Sequence, residues 1–166
     1  MTMYDTIIDL FEYRDNDLYW KETGTGRGDI SKPAGSINKG YRNIKIKGKL
    51  YGAHRLIYQM FNELWDITDT SRDNSIDHAD RDKLNNNIDN LRVATHSQNN
   101  ANSGKYKNNT SGHTGVVWHK AAGKWQVQVM LNNKYHSGGL FVNKEDAIAK
   151  AIQLRDQLHG EFANHG

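Results

Sequence analysis

The run IDHADRDKLNNNIDNLRVATHSQN, residues 76–99, decides how this chain is read. It sets an acid–histidine pair, Asp77-His78, before a polar loop rich in Asn and Asp, then Asn90, Leu91-Arg92-Val93-Ala94 and Asn99. Ile76 ends one short strand, which puts Asp77 and His78 at its mouth, and Leu91 to Ala94 form a second. Thr95 and Gln98 match a capping box, in which each side chain satisfies an orphan backbone donor of a helix start. Asn99 therefore lies about one turn inside that helix, and the predicted unit is strand–loop–strand–helix. Carboxylate and amide oxygens suit one hard divalent cation, magnesium or manganese, which keeps several waters and completes its shell from phosphate. A neutral imidazole beside it is the usual proton acceptor near pH 7. The chemistry implied is metal-assisted phosphodiester hydrolysis.

Charge around this run is uneven. The chain has 166 residues and a net charge of +3. Residues 30–62 contain no acid but carry Lys32, Lys39, Arg42, Lys45, Lys47, Lys49 and Arg55. Residues 63–90 are acidic, and residues 91–144 are again free of acids, with Arg92, Lys105, Lys107, Lys120, Lys124, Lys134 and Lys144. Two basic arms around an acidic centre suit a polyanion held on both sides of a metal site. Solubilising surface charge explains either arm alone equally well. With no cysteine there is no disulfide and no cysteine-bound zinc, so no zinc is expected. No apolar run reaches the length of a membrane span, and the N-terminus is acidic where a signal peptide needs a basic lead. An intracellular protein with no membrane partner is expected.

The rest of the chain divides around the central run. Strands are predicted at residues 18–21, 41–46 and 49–51, with Lys47-Gly48 as a hairpin turn and the Gly-rich residues 24–40 as loop. Residues 53–61 read as a helix with Leu56, Ile57, Met60 and Phe61 on one face. Residues 101–113 read as a linker by composition. Beyond it, Val116 and Trp118, then Trp125, Val127, Val129 and Leu131, then residues 134–137 give three strands. A helix follows, capped by Asn143, with Ala147, Ile148, Ala151, Ile152, Leu154 and Leu158 inward. The fold class is α+β. The odd face of the middle strand packs on the helix, leaving Lys124, Gln126 and Gln128 on the other.

Asp77-His78, Asn90-Leu91-Arg92 and Asn99 resemble the HNH (ββα-metal) nuclease motif, in the variant that ends in Asn. The His54-Arg55-Leu56 helix and the Tyr41 hairpin are similar to the N-terminal part of phage and intron-encoded HNH homing endonucleases. Residues 114–162 resemble an AP2-type DNA-binding domain, although Val117, Trp118 and His119 stand where that pattern favours basic residues. The resemblance implies residues 1–100 as a nuclease domain with its N-terminal β-rich region, 101–113 as linker and 114–166 as a DNA-binding domain. It also implies that Asp77 and Asn99 hold one Mg2+ or Mn2+, that His78 is the general base, and that Asn90 braces the loop.

The expected function is a sequence-directed, homing-type DNA endonuclease, a monomer or homodimer acting on double-stranded DNA. A non-catalytic DNA-binding regulator on a decayed nuclease scaffold is the alternative. Expected DNA contacts are Arg42, Lys45, Lys47, Arg55, Arg92, Lys105, Lys107, His119, Lys124, Gln126 and Gln128. Arg92 has a second reading, a pair with the acidic loop. His54 reads as structural or as a phosphate contact, and Asp80 and Asp82 as loop-shaping.

Overall fold

The computed structural model describes residues 1–22, 28–104 and 109–165. The chain forms two compact units, Met1–Ala94 and Thr95–Gly166.

The first unit opens with α1 (Met3–Leu10), which the sequence reading did not anticipate. Its start is a full capping box. Asp5 N–H donates to the Thr2 hydroxyl at 3.1 Å, and the Thr2 backbone N–H donates to the Asp5 carboxylate at 2.7 Å. A hairpin follows, β1 (Phe11–Arg14) and β2 (Asp17–Trp20), turning through Asp15 and Asn16 at positive φ. Next comes a three-stranded antiparallel sheet of β3 (Ser36–Asn38), β4 (Tyr41–Ile46) and β5 (Lys49–Gly52). The Gly-rich stretch expected to be loop thus contributes an edge strand, with Ser36 paired to Asn43 and Asn38 to Tyr41. Gly35 makes this possible: at φ +87° it passes so close to the Asn43 carbonyl that a Cβ would overlap it.

Helix α2 (Ala53–Phe61) has the expected bounds and buries Leu56 and Ile57 fully and Met60 in part, whereas Phe61, expected on the same face, is exposed at the helix end. Around it gather Ile7 of α1, Phe11 and Leu18 of the hairpin, Ile44 and Ile46 of β4, Ile76 and Leu91. Fully burying such side chains contributes about 1.5–3 kcal/mol each. This core is the platform on which β6 (Ser75–His78) and β7 (Leu91–Ala94) lie as an antiparallel pair. Asp77 and His78 are the last two residues of β6 rather than residues beyond its end.

The second unit opens with α3 (His96–Asn102), capped by Thr95 and Gln98 as expected. Its sheet has the order β10-β9-β8. The strands are β8 (Val116–His119), β9 (Lys124–Leu131) and β10 (Lys134–Phe141), the last longer than predicted because the pairing continues past a bulge between Ser137 and Gly139. Helix α4 (Lys144–His159) packs Ala147 and Ala151 against Val116 and Val127. Asn143 holds the cap position, but its side chain donates to the Asp146 carboxylate at 3.3 Å rather than capping backbone.

The compact units meet at Ala94 and Thr95, and α3 is tied into the second of them. Arg155 donates to the Ala101 carbonyl at 2.9 Å, and the Asn164 amide donates to the Asn102 carbonyl at 3.0 Å. Residues 101–113 are also not simply linker. Ala101 and Asn102 are buried in α3, and Ser111 is buried with its hydroxyl bonded to Asn109 and the His113 carbonyl.

Candidate active site

The β6–β7 ladder sets Asp77 directly opposite Arg92 and His78 opposite Leu91. Both Asp77 and His78 are buried, at 6% and 4% exposure. Arg92 donates from Nε and Nη2 to Asp77 Oδ2 at 3.1 and 3.0 Å, which fixes the carboxylate. The His78 ring lies in a small aromatic group, its centroid 5.1 Å from that of His54 and 6.1 Å from that of Tyr41. Lys83 sets its ammonium over the Tyr41 ring, 4.5 Å from the centroid. Burial drives the His54 pKa down to about 3, helped by the neighbouring His78 and Arg55, so this ring is neutral at physiological pH.

Asn90 clasps the loop that follows His78. Its Oδ1 accepts from the Asp80 backbone N–H at 3.0 Å, and its Nδ2 donates to Asp80 Oδ1 and to the Asn85 carbonyl, both at 2.9 Å. Asp80 also accepts from the Asp82 N–H and the Asn85 amide. Burial opposes the Asp80 charge, but the hydrogen bonds from Asn85, Asn90 and Asp82 outweigh it and hold the carboxyl below its ordinary pKa. Asp80 and Asp82 are therefore loop-shaping residues.

Sequence reasoning missed Asn86. It is 1% exposed, and its Oδ1 lies 3.3 Å from His78 Nε2. Asn85-Asn86-Asn87 offers three equal candidates, and only the fold selects the buried one. Asp17 behind it was missed for a similar reason, since nothing near it in sequence marks it as part of this group.

Three of the residues expected to contact DNA have partners within the protein. Arg42 alternates with Ile44 and Ile46 on the inward side of β4, and its Nε donates to the buried Asp17 Oδ2 at 2.6 Å. Arg55 reaches the carbonyls of Asn74, Ile67 and Asp69 and lies over the Trp65 ring. Arg92 is held by Asp77. Lys45 and Lys47, by contrast, are exposed. Lys105 and Lys107 lie outside the described residues.

In the second unit, Lys124 is exposed and Gln126 and Gln128 are half-buried on one face of β9, as the alternation requires. His119 pairs with Lys124 across the β8–β9 ladder, and its Nδ1 accepts from the Ala122 N–H at 3.1 Å. Asn99 is half-buried on α3, its carbonyl accepting from the Ser103 hydroxyl at 3.2 Å.

Among the described residues no group of three or more His, Cys, Asp or Glu side chains is gathered as a ligand set. No helix of the described residues is long and apolar enough to cross a membrane.

Comparison with known proteins adds two findings. A family model described as HNH endonuclease matches residues 70–101. Protein 3.8 of Escherichia phage T7 is 37% identical over 90 residues, which cover 53% of this chain and 72% of that protein. No solved structure matches the chain. The chain belongs to the same family as this phage protein, and it carries an HNH-type endonuclease domain over the stretch that holds Asp77, His78, Asn90 and Asn99.

Proposed function

We propose that the protein is a metal-dependent DNA endonuclease in which His78 is the general base. The observation that carries this reading is the burial of both Asp77 and His78 at the end of β6, with the Asp77 carboxylate held by Arg92, within a matched HNH segment. His78 would take a proton from the attacking water, a role that contributes roughly 10²–10⁴-fold in rate. Asn90 would hold the 80–85 loop against the end of β6, keeping the imidazole in place. Asp77 would be one metal ligand, and Asn99 keeps the second ligand role that the motif spacing gives it. A magnesium or manganese ion bound there would stabilise charge developing on the scissile phosphate and the leaving 3′-oxygen.

The finer reading is a sequence-directed, homing-type enzyme whose second unit resembles an AP2 domain and presents Lys124, Gln126 and Gln128 to double-stranded DNA. Its support is the sheet-and-helix architecture, whose open face carries Lys124, Gln126 and Gln128 among the exposed Val117, Met130, Tyr135 and Leu140. One such site cuts one strand at a time, so a monomer nicks and a homodimer can break both strands. Labelled duplexes from the phage genome region around the gene, incubated with magnesium or manganese, test the proposal. Cleavage by wild type and not by His78→Ala, Asp77→Ala or Asn99→Ala is expected. Equal backgrounds for wild type and His78→Ala would overturn it, and binding without cleavage would favour the regulator.

A further inference from the structure

Behind His78 runs a line of buried polar groups that the motif does not include. Arg42 Nε donates to Asp17 Oδ2 at 2.6 Å, and the Leu18 N–H donates to Asp17 Oδ1 at 2.9 Å. Burial pushes the Asp17 carboxyl up, and the Asn86 amide is among the groups that pull the other way, although its buried nitrogen makes no hydrogen bond of good geometry. The other end of the amide, Oδ1, meets His78 Nε2 at 3.3 Å. Tyr13 of β1 holds the backbone that follows Asn86, its hydroxyl accepting from the Ile88 N–H at 3.3 Å and sharing its proton between Asn16 Oδ1 at 3.3 Å and the Asn86 carbonyl at 3.5 Å.

The amide has a polarity, and Asp17 sets it. A carboxylate only accepts hydrogen bonds, so the NH₂ end of Asn86 turns towards it and the carbonyl end is left for the imidazole. A carbonyl oxygen at Nε2 requires the proton there, and the lone pair of neutral His78 then resides on Nδ1. Reversing the amide would set an acceptor against an anion within a buried region, where an unpaired polar contact is most costly.

We propose that Asn86 is a positioning residue that fixes the His78 tautomer with the proton on Nε2, and that Asp17, held by Arg42, fixes Asn86. The consequence for catalysis rests on the nuclease reading, because it makes Nδ1 the atom that accepts the proton from water. The β1–β2 hairpin is then part of the catalytic apparatus, since it supplies Asp17 and Tyr13.

The test is the tautomer itself, read on the full chain by long-range ¹H–¹⁵N spectra of the imidazoles, with the His78 signals assigned by their loss in His78→Gln. Wild type should show the Nε2–H form. Asn86→Leu should give a mixture of the two tautomers. On cleaved DNA, Asn86→Leu should lower kcat by roughly 10–100-fold with little change in KM. A wild-type His78 in the Nδ1–H form would overturn the proposal, and so would an Asn86→Leu protein with an unchanged tautomer. The wild-type spectrum decides even where the leucine variant fails to fold. If no DNA is cut, the nuclease reading falls while the tautomer result still judges this one.

Discussion

Arg92 and Asp77 face each other across the β6–β7 ladder, and two guanidinium bonds converge on the carboxylate oxygen Oδ2. The pair is largely buried, with side-chain exposures of 20% and 7%. An arginine so placed acts on the protein before it acts on DNA. Removing it strands a buried carboxylate, which costs about 3–5 kcal/mol in comparable pairs. Arg92→Ala should therefore lower the urea midpoint strongly, while any protein that remains folded should bind DNA with an unaltered salt slope. A stable Arg92→Ala protein with a weakened salt slope would identify Arg92 as a phosphate contact instead.

His54 gives the fold a pH dependence of defined sign. Its pKa falls from 6.5 in the unfolded chain to about 3 in the folded one. Between those values the unfolded chain binds the extra proton, so stability falls as pH drops through the window and levels off below about 3. Several carboxylates also weaken the fold in acid, so the measurement is a difference. Wild type should lose stability relative to His54→Phe between pH 6.5 and 3, by a total of about 5 kcal/mol. Parallel stability curves would show that His54 is not desolvated.

Much of this site was legible in the sequence, and the reason is local. The capping box Thr95-Gln98, the alternation of Ile44 and Ile46, and the helix face of Leu56 and Ile57 are short-range patterns that hold once any core forms. What escaped depended on distant partners. Arg42 looks like an exposed cation until its place inward beside Ile44 is matched with Asp17, 25 residues earlier. Arg55 looks the same until its guanidinium is seen closing the turn at residues 67–74. Asn86 is one of three adjacent asparagines, and only burial singles it out. The inward step of β4 was in fact readable, since Ile44 and Ile46 facing the core require Arg42 to face it too.

These distinctions separate two sets of basic residues. Arg42→Ala and Arg55→Ala should destabilise the fold, because Arg42 leaves Asp17 buried and Arg55 leaves backbone carbonyls unpaired; charged hydrogen bonds contribute about 1.5–3 kcal/mol each. Lys45→Ala and Lys47→Ala should leave the melting temperature unchanged. If these lysines meet phosphate, each substitution should also reduce the slope of log K against log salt by roughly one. Thermal melts and binding titrations over a salt series check both halves.

The open face of β9 makes a parallel prediction. Replacing Lys124, Gln126 and Gln128 together by alanine should weaken DNA binding while leaving the fold intact, since none of the three is fully buried. If Gln126 or Gln128 reads a base edge, the loss should be larger on the preferred site than on random duplex, each good contact being worth about 1–3 kcal/mol. Unchanged affinity on both duplexes would remove this face from the DNA interface.

Gly138 tests how closely the second sheet and its helix are packed. It sits inside the β10 bulge, where a Cβ would lie 2.5 Å from Val127 Cγ1 and 3.4 Å from Leu154 Cδ2. Val127 is fully buried and Leu154 lies on α4, so neither has open space to retreat into. Gly138→Ala should cost about 1–3 kcal/mol, the usual penalty for overpacking a filled core. Trimming the neighbour should return part of it: in the double variant with Val127→Ala the two effects should be less than additive. A neutral Gly138→Ala, measured by denaturant melts, would mean that the bulge can shift and that the open face it backs is less rigid than this packing requires.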